Sequence, residues 1–204
     1  LLDESVPGVE DGTWSCPHDS LPNEEKCPFH LPVEDRPEEV DATAAFLKRL
    51  ESVDDIDDRY ERKRQVQFVD ATFESFDISG EILDSGVAHY INLSHAEVQD
   101  ADLTDTKVRQ PIRFAHARFV GTARFRSATF EGKVCMRNVT FTDSVRLRGA
   151  MFERSFVARH GTFEDEVQFW YTRFYKHAIF KDADFYEYAY FKAVDFNNYV
   201  RFSE

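Results

Sequence analysis

The sequence has only three cysteines, two methionines and two tryptophans in 204 residues. So few cysteines exclude a disulfide-stapled scaffold. Long apolar runs are missing too. No stretch approaches the roughly 20 residues of a spanning helix, and Leu1-Leu2-Asp3-Glu4 has neither the basic flank nor the apolar segment of a signal peptide. The expectation is a chain with no membrane span, placed in the cytoplasm. The motifs of common enzymes are absent, with no Gly-x-Ser-x-Gly, His-Glu-x-x-His or Gly-x-x-x-x-Gly-Lys. Positive charge is outnumbered, 25 Lys and Arg against 38 Asp and Glu, and the resulting −13 argues against a generic nucleic-acid binder. Residue 1 is not Met, and the sequence stops two residues after Phe202, so more chain or a covering subunit is expected at the ends.

What is abundant is Phe, with 20 residues, and its placement is periodic. Steps of five from Phe68 reach Phe73, Ile78, Leu83, Ala88, Leu93 and onward to Val108. Alternating steps of six and five then run from Phe114 to Phe202. All 26 positions so reached are apolar, and they hold 16 of the Phe. Two residues before each centre lies a second inward position, usually small or β-branched, as at Ala96, Ala117, Val139 and Val167. Where the centre shrinks to Ala158 its companion grows to Phe156, which keeps the volume of the pair. Glu81, Thr106 and Thr172 are the polar departures.

Neither a helix nor an ordinary strand has a period of five to six. A backbone coiled into a square does. Four sides give a coil of 20 to 22 residues, and coils stacked about 4.8 Å apart place Phe125, Leu147, Phe169 and Phe191 in one interior ladder and Phe130, Phe152, Phe174 and Phe196 in the next. The segments Phe114-Ala-His-Ala-Arg-Phe119, Phe125-Arg-Ser-Ala-Thr-Phe130 and Phe180-Lys-Asp-Ala-Asp-Phe185 resemble pentapeptide-repeat proteins, in the Phe-rich variety with alternating five- and six-residue steps. The resemblance covers residues 66–204. It implies an all-β solenoid, a right-handed quadrilateral β-helix, in which the six-residue steps widen alternate sides. It supplies no catalytic residue.

Two elements precede the repeat. Residues 1–36 carry Cys16-Pro-His18 and Cys27-Pro-Phe-His30, four donors suited to tetrahedral zinc in a structural role. The alternative is that Cys16 and Cys27 are free or disulfide-linked and both histidines are solvated. Residues 37–65 read as one capping α-helix, from Pro37 to about Val53, followed by a charged connector. The helix would cover the open first coil near Phe68.

Charge is segregated. Residues 1–106 carry −19, residues 107–159 carry +9 and residues 160–204 carry −3. The coil register stacks Arg124 on Arg146 and Arg126 on Arg148, with Trp170 one coil further, and puts Arg137, Arg159 and Lys181 in a column on the opposite side. Neighbouring acids could neutralise these columns; otherwise they dock an acidic surface. Seven Trp and Tyr residues, among them Trp170, Tyr188 and Tyr190, face outward in the last stretch, as ordinary surface or as an interface. The other histidines, His89, His95, His116, His160 and His177, show no partner at ligand spacing. The combined reading is a non-catalytic binding or assembly scaffold. Its partner is an acidic protein surface or another copy of itself, met at the C-terminal end. The resemblance also implies an alternative, a DNA-mimicking modulator of DNA gyrase or another topoisomerase, from whose continuous acid the basic middle of this chain departs. High acidity with Arg (17) exceeding Lys (8) also fits salt adaptation.

Overall fold

The computed structural model describes residues 9–10, 13–22, 24–86 and 89–203. The repeat folds as a parallel β-solenoid of about six turns with four sides. Most of its strands are two residues long, and each pairs in parallel with its equivalent one coil away. Around one coil the sides are Arg118–Phe119, Ala123–Arg124, Thr129–Phe130 and Val134–Cys135. They are called the first to fourth sides below.

Alternation along each two-residue strand decides what is inside. The second residue of the first and third sides, and the first residue of the second and fourth, point inward; they are buried until the last coil, where Phe185, Ala189, Phe196 and Val200 are half-buried. The expected ladders form as face-to-face stacks. Phe130, Phe152, Phe174 and Phe196 stand 5.0–5.2 Å apart with ring planes within 7° of parallel, and Phe169 lies 4.7 Å from Phe191. Each fully buried ring contributes roughly 1.5–3 kcal/mol, and ring contacts add roughly 0.5–1.5, whereas Phe191 at the last coil is exposed. Ala158 and Phe156 are both buried, as their complementary volumes require. The polar departures have separate solutions. Thr106 and Thr172 are buried with their hydroxyls donating to the carbonyls of Ile78 and Leu147, whereas Glu81 is exposed.

The alternation of fives and sixes has a backbone cause. Every five-residue step that ends on the first or third side turns through a residue with positive φ, two places after its centre. One corner carries Asp70, His95, His116, Asn138, His160 and Asp182, and the diagonal corner carries Gly80, Asp105, Ser127, Gly149, Tyr171 and Ala193. None of the twelve is β-branched, because a branched Cβ clashes in the left-handed region. The six-residue steps make the two wider corners.

One coil departs from the expected size. Phe73 pairs with Val98 and Leu83 with Val108, both 25 residues apart, while Val98 pairs with Phe119 21 residues on. The added length lies between Leu83 and Ile91, which pair with Val108 and Ile112 of the next coil. Arg109 pairs with Asp84 at 2.7 Å, and Gln110 donates to the Ser85 hydroxyl at 2.6 Å, so the next coil holds this excursion. The proposed centre Ala88 lies outside the described residues. An insertion of one repeat length leaves a five-residue period unbroken, which is why counting in fives passes straight through it.

Before the solenoid, α1 spans Ala42–Ser52 and α2 spans Arg59–Gln65. The helix begins at Ala42 rather than at Pro37, because the Asp41 carboxylate accepts from the Thr43 and Ala44 amides and sets the N-cap there. The connector contains α2, capped in the same way by Asp58. Phe46 of α1 packs 4.7 Å from Phe68 and 5.2 Å from Phe76, closing the apolar end of the first coil. Among the described residues no helix is long and apolar enough to cross a membrane.

Two glycines mark where a longer step lies against a neighbouring coil. A Cβ on Gly132 would stand 2.3 Å from the backbone of Gln110, and one on Gly121 2.4 Å from the Gln99 carbonyl oxygen. Gly132→Ala is therefore expected to cost about 1–3 kcal/mol in a denaturant titration. A midpoint equal to that of the unsubstituted chain would show that the corner is not closely packed.

Candidate metal site and basic surface

The Cys/His element sits against the start of the solenoid. Thr72 donates its amide to the Phe29 carbonyl, and the Arg36 guanidinium donates to the carbonyls of Leu31 and Thr72. Phe29 is buried, edge-on to Phe68 at 5.0 Å. This anchoring brings four chemically matched side chains together. Cys16 Sγ lies 3.6 Å from Cys27 Sγ and 3.4 Å from His18 Nδ1, and Cys27 Sγ lies 2.9 Å from His30 Nδ1. The sulfurs are not bonded to each other, so the disulfide alternative does not hold.

Cys16, His18 and Cys27 present their ligand atoms within 4.8 Å of one another, a grouping able to hold a metal ion, and His30 lies outside it with its Nδ1 against Cys27. Ligands of a tetrahedral zinc at about 2.0–2.3 Å would stand about 3.3–3.8 Å apart, which the Cys16–Cys27 and Cys16–His18 separations match. Both imidazoles turn Nδ1 toward sulfur. Their Nε2 atoms lie 3.1 Å from the Gln65 carbonyl and 2.7 Å from the Val69 carbonyl. A backbone acceptor on the far nitrogen is the usual way a ligating histidine is oriented. The hydrogen bond from Cys16, aided by His18 and His30, holds the Cys27 thiol far below its ordinary range against the effect of burial, while Cys27 and burial push the Cys16 thiol up. Burial works against a charged His30, but Cys27, the Val69 carbonyl and Asp70 together raise it.

The arginines stack as the register requires. Arg124 pairs in register with Arg146, with Asp102 before and Gln168 and then Tyr190 after. Arg126, Arg148 and Trp170 follow one another through the amides of Ser127 and Gly149, which donate to the carbonyls of Arg148 and Trp170. Tyr190 lies 6.3 Å from Trp170 and 5.9 Å from Tyr188, so the three aromatic candidates form one cluster at the end of this surface. Arg137 and Arg159 are stacked on the opposite corner, where the Asn138 amide donates to the Arg159 carbonyl. Among the described residues none of these six arginines forms an ion pair with a carboxylate within 4 Å. Arg148 has the Tyr171 ring 6.0 Å away.

Three of the scattered histidines gather in one corner column. His95 and His116 stack at 4.8 Å, the Asn138 amide lies 3.3 Å from His116 Nε2, and His160 lies 3.6 Å from Asp182. Burial and the neighbouring His95 hold the His116 pKa below the ordinary imidazole value. The signal was present in the spacing, since each of these residues stands two places after a centre.

Stacked like charges without carboxylate partners repel. Arg146→Gln, which continues the Gln168 column, should stabilise the fold by about 0.2–1 kcal/mol at low ionic strength, and the gain should fade in high salt. A loss of stability in low salt would mean that the arginines are compensated within the chain.

A family model described as pentapeptide repeats (9 copies) matches residues 93–134. No curated protein and no solved structure matches the chain.

Proposed function

Because the chain is a pentapeptide-repeat protein wound into a four-sided β-helix, we propose that it is a non-catalytic binding scaffold that engages an acidic protein surface. The observation that carries this reading is the set of stacked arginines, Arg124, Arg126, Arg146 and Arg148, with no carboxylate partner among the described residues. The guanidinium fork suits bidentate carboxylates, and the adjoining Trp170, Tyr188 and Tyr190 extend the contact with aromatic area. Another copy of the chain offers a complementary surface. A hollow of about 510 Å³ beside α1 is lined by Glu38, Asp41, Glu74, Asp77 and Asp100, with Arg36 as its one cation. A DNA mimic acting on gyrase needs continuous acid along the rod, and residues 107–159, at +9, interrupt it.

In the same reading, Cys16, His18, Cys27 and His30 hold a structural zinc. The ion would tie the loop of residues 16–30 to the first coil through the carbonyls of Gln65 and Val69. Purified chain is expected to contain about one zinc per molecule, and Cys27→Ala to lose it together with thermal stability. A metal content near zero in a chain whose melting is indifferent to a chelator would remove the site.

The surface is tested by light scattering. The chain should gain mass with concentration at low salt, and the variant with Arg124, Arg126, Arg146 and Arg148 changed to Glu should stay monomeric. Wild type that remains monomeric at about 100 µM in low salt would remove self-association.

A further inference from the structure

A second basic surface lies on the fourth side, and it has a shape. Two adjoining hollows, of about 470 and 170 Å³, share Lys133 and Ser155 as a common wall. The larger hollow is rimmed by Arg154 and Lys176, the smaller by Arg137 and Arg159, and Lys133 rises between them. The smaller hollow is floored by two apolar residues of successive coils, the buried Val157 and the half-buried Ile179. Glu131 is the one acid in either lining, and Lys107 already engages it at 2.6 Å. Among the described residues none of the five rim cations is ion-paired within 4 Å.

We propose that this groove is a docking site for an acidic amphipathic helix of a protein partner. Three features select that occupant. Coils repeat about every 4.8 Å along the groove, and an α-helix lying along it repeats every 5.4 Å, so each turn meets about one coil. Carboxylates three and four places apart then align with the rim cations, while the helix's apolar stripe rests on the half-buried Ile179, above the buried Val157. Both hollows are rimmed by cations, which fits a helix with acid on both edges of its stripe. An oligonucleotide would satisfy the cations but leave the apolar floor unused. The site deepens the scaffold reading by naming a partner class, yet it uses none of Arg124, Arg126, Arg146 and Arg148, so the two stand or fall separately.

The test uses the full chain and a fluorescein-labelled peptide of about 18 residues, long enough for about five helical turns, with Glu on both flanks of a Leu stripe. Controls are the same peptide with Lys in place of Glu, and a duplex oligonucleotide. Anisotropy should show saturable binding of the acidic peptide alone, with a gain of peptide helicity in circular dichroism. Lys133→Glu with Arg137→Glu and Arg159→Glu should weaken binding about tenfold or more, and the neutral Arg137→Gln with Arg159→Gln variant by less. Arg124→Glu with Arg146→Glu should leave it unchanged. No saturation by about 1 mM peptide, equal loss in both sets of charge-reversed variants, or tighter binding of the oligonucleotide would each overturn the groove assignment. Unchanged melting of the neutral variant guards against misreading an unfolded one.

Discussion

Everything in this molecule depends on in-register stacking of one coil on the next. A two-residue strand is far too short to be stable alone, and it persists because its amides and carbonyls pair with equivalent groups above and below. Register then dictates side-chain chemistry. An inward Phe must meet an inward residue of the next coil, which gives parallel ring stacks such as Phe141 on Phe163 at 5.3 Å. The same rule forces outward Arg146 onto Arg124 whether or not their charges agree. Core and basic surface are two consequences of a single translation.

A stack has ends, and the first coil shows how one is closed. Its carbonyls have no coil beneath them, and unpaired backbone at an edge invites aggregation. Here the His18 ring meets the Gln65 carbonyl, His30 meets the Val69 carbonyl, Arg36 reaches Thr72 and the Thr43 hydroxyl bonds the Ser75 carbonyl. The apolar part of the end is covered by Phe29 and Phe46. Two of the four polar caps are therefore the same imidazoles that face Cys16 and Cys27. The short polar segment that seals the solenoid therefore also carries the grouping able to hold a metal ion.

Much of this was legible because the fold writes its geometry into spacing. The Phe ladders, the Arg124–Arg146 stack and the convergence of Cys16 with Cys27 follow from position along the chain. Other features were not. The larger first coil was hidden because its insertion has the length of a repeat, so the count places Ala88 as a centre between Leu83 and Leu93, although those two stand on consecutive sides of the coil. Phe76 is buried against Phe46, but its partner lies in a helix whose docking no period encodes. Lys133, Arg154 and Lys176 belong to steps of different coils, and their gathering around one hollow emerges only when the corners are built in three dimensions.

By itself the sequence determined which residues face the axis and which lie above one another, because a recurring large apolar side chain leaves few ways to bury all its copies at once. Only the tertiary structure decided which corners are tight, where the chain leaves the coil, how the first coil is sealed and whether surface cations find partners. Those outcomes depend on distances between side chains on different sides and elements, and a one-dimensional period carries no information about them.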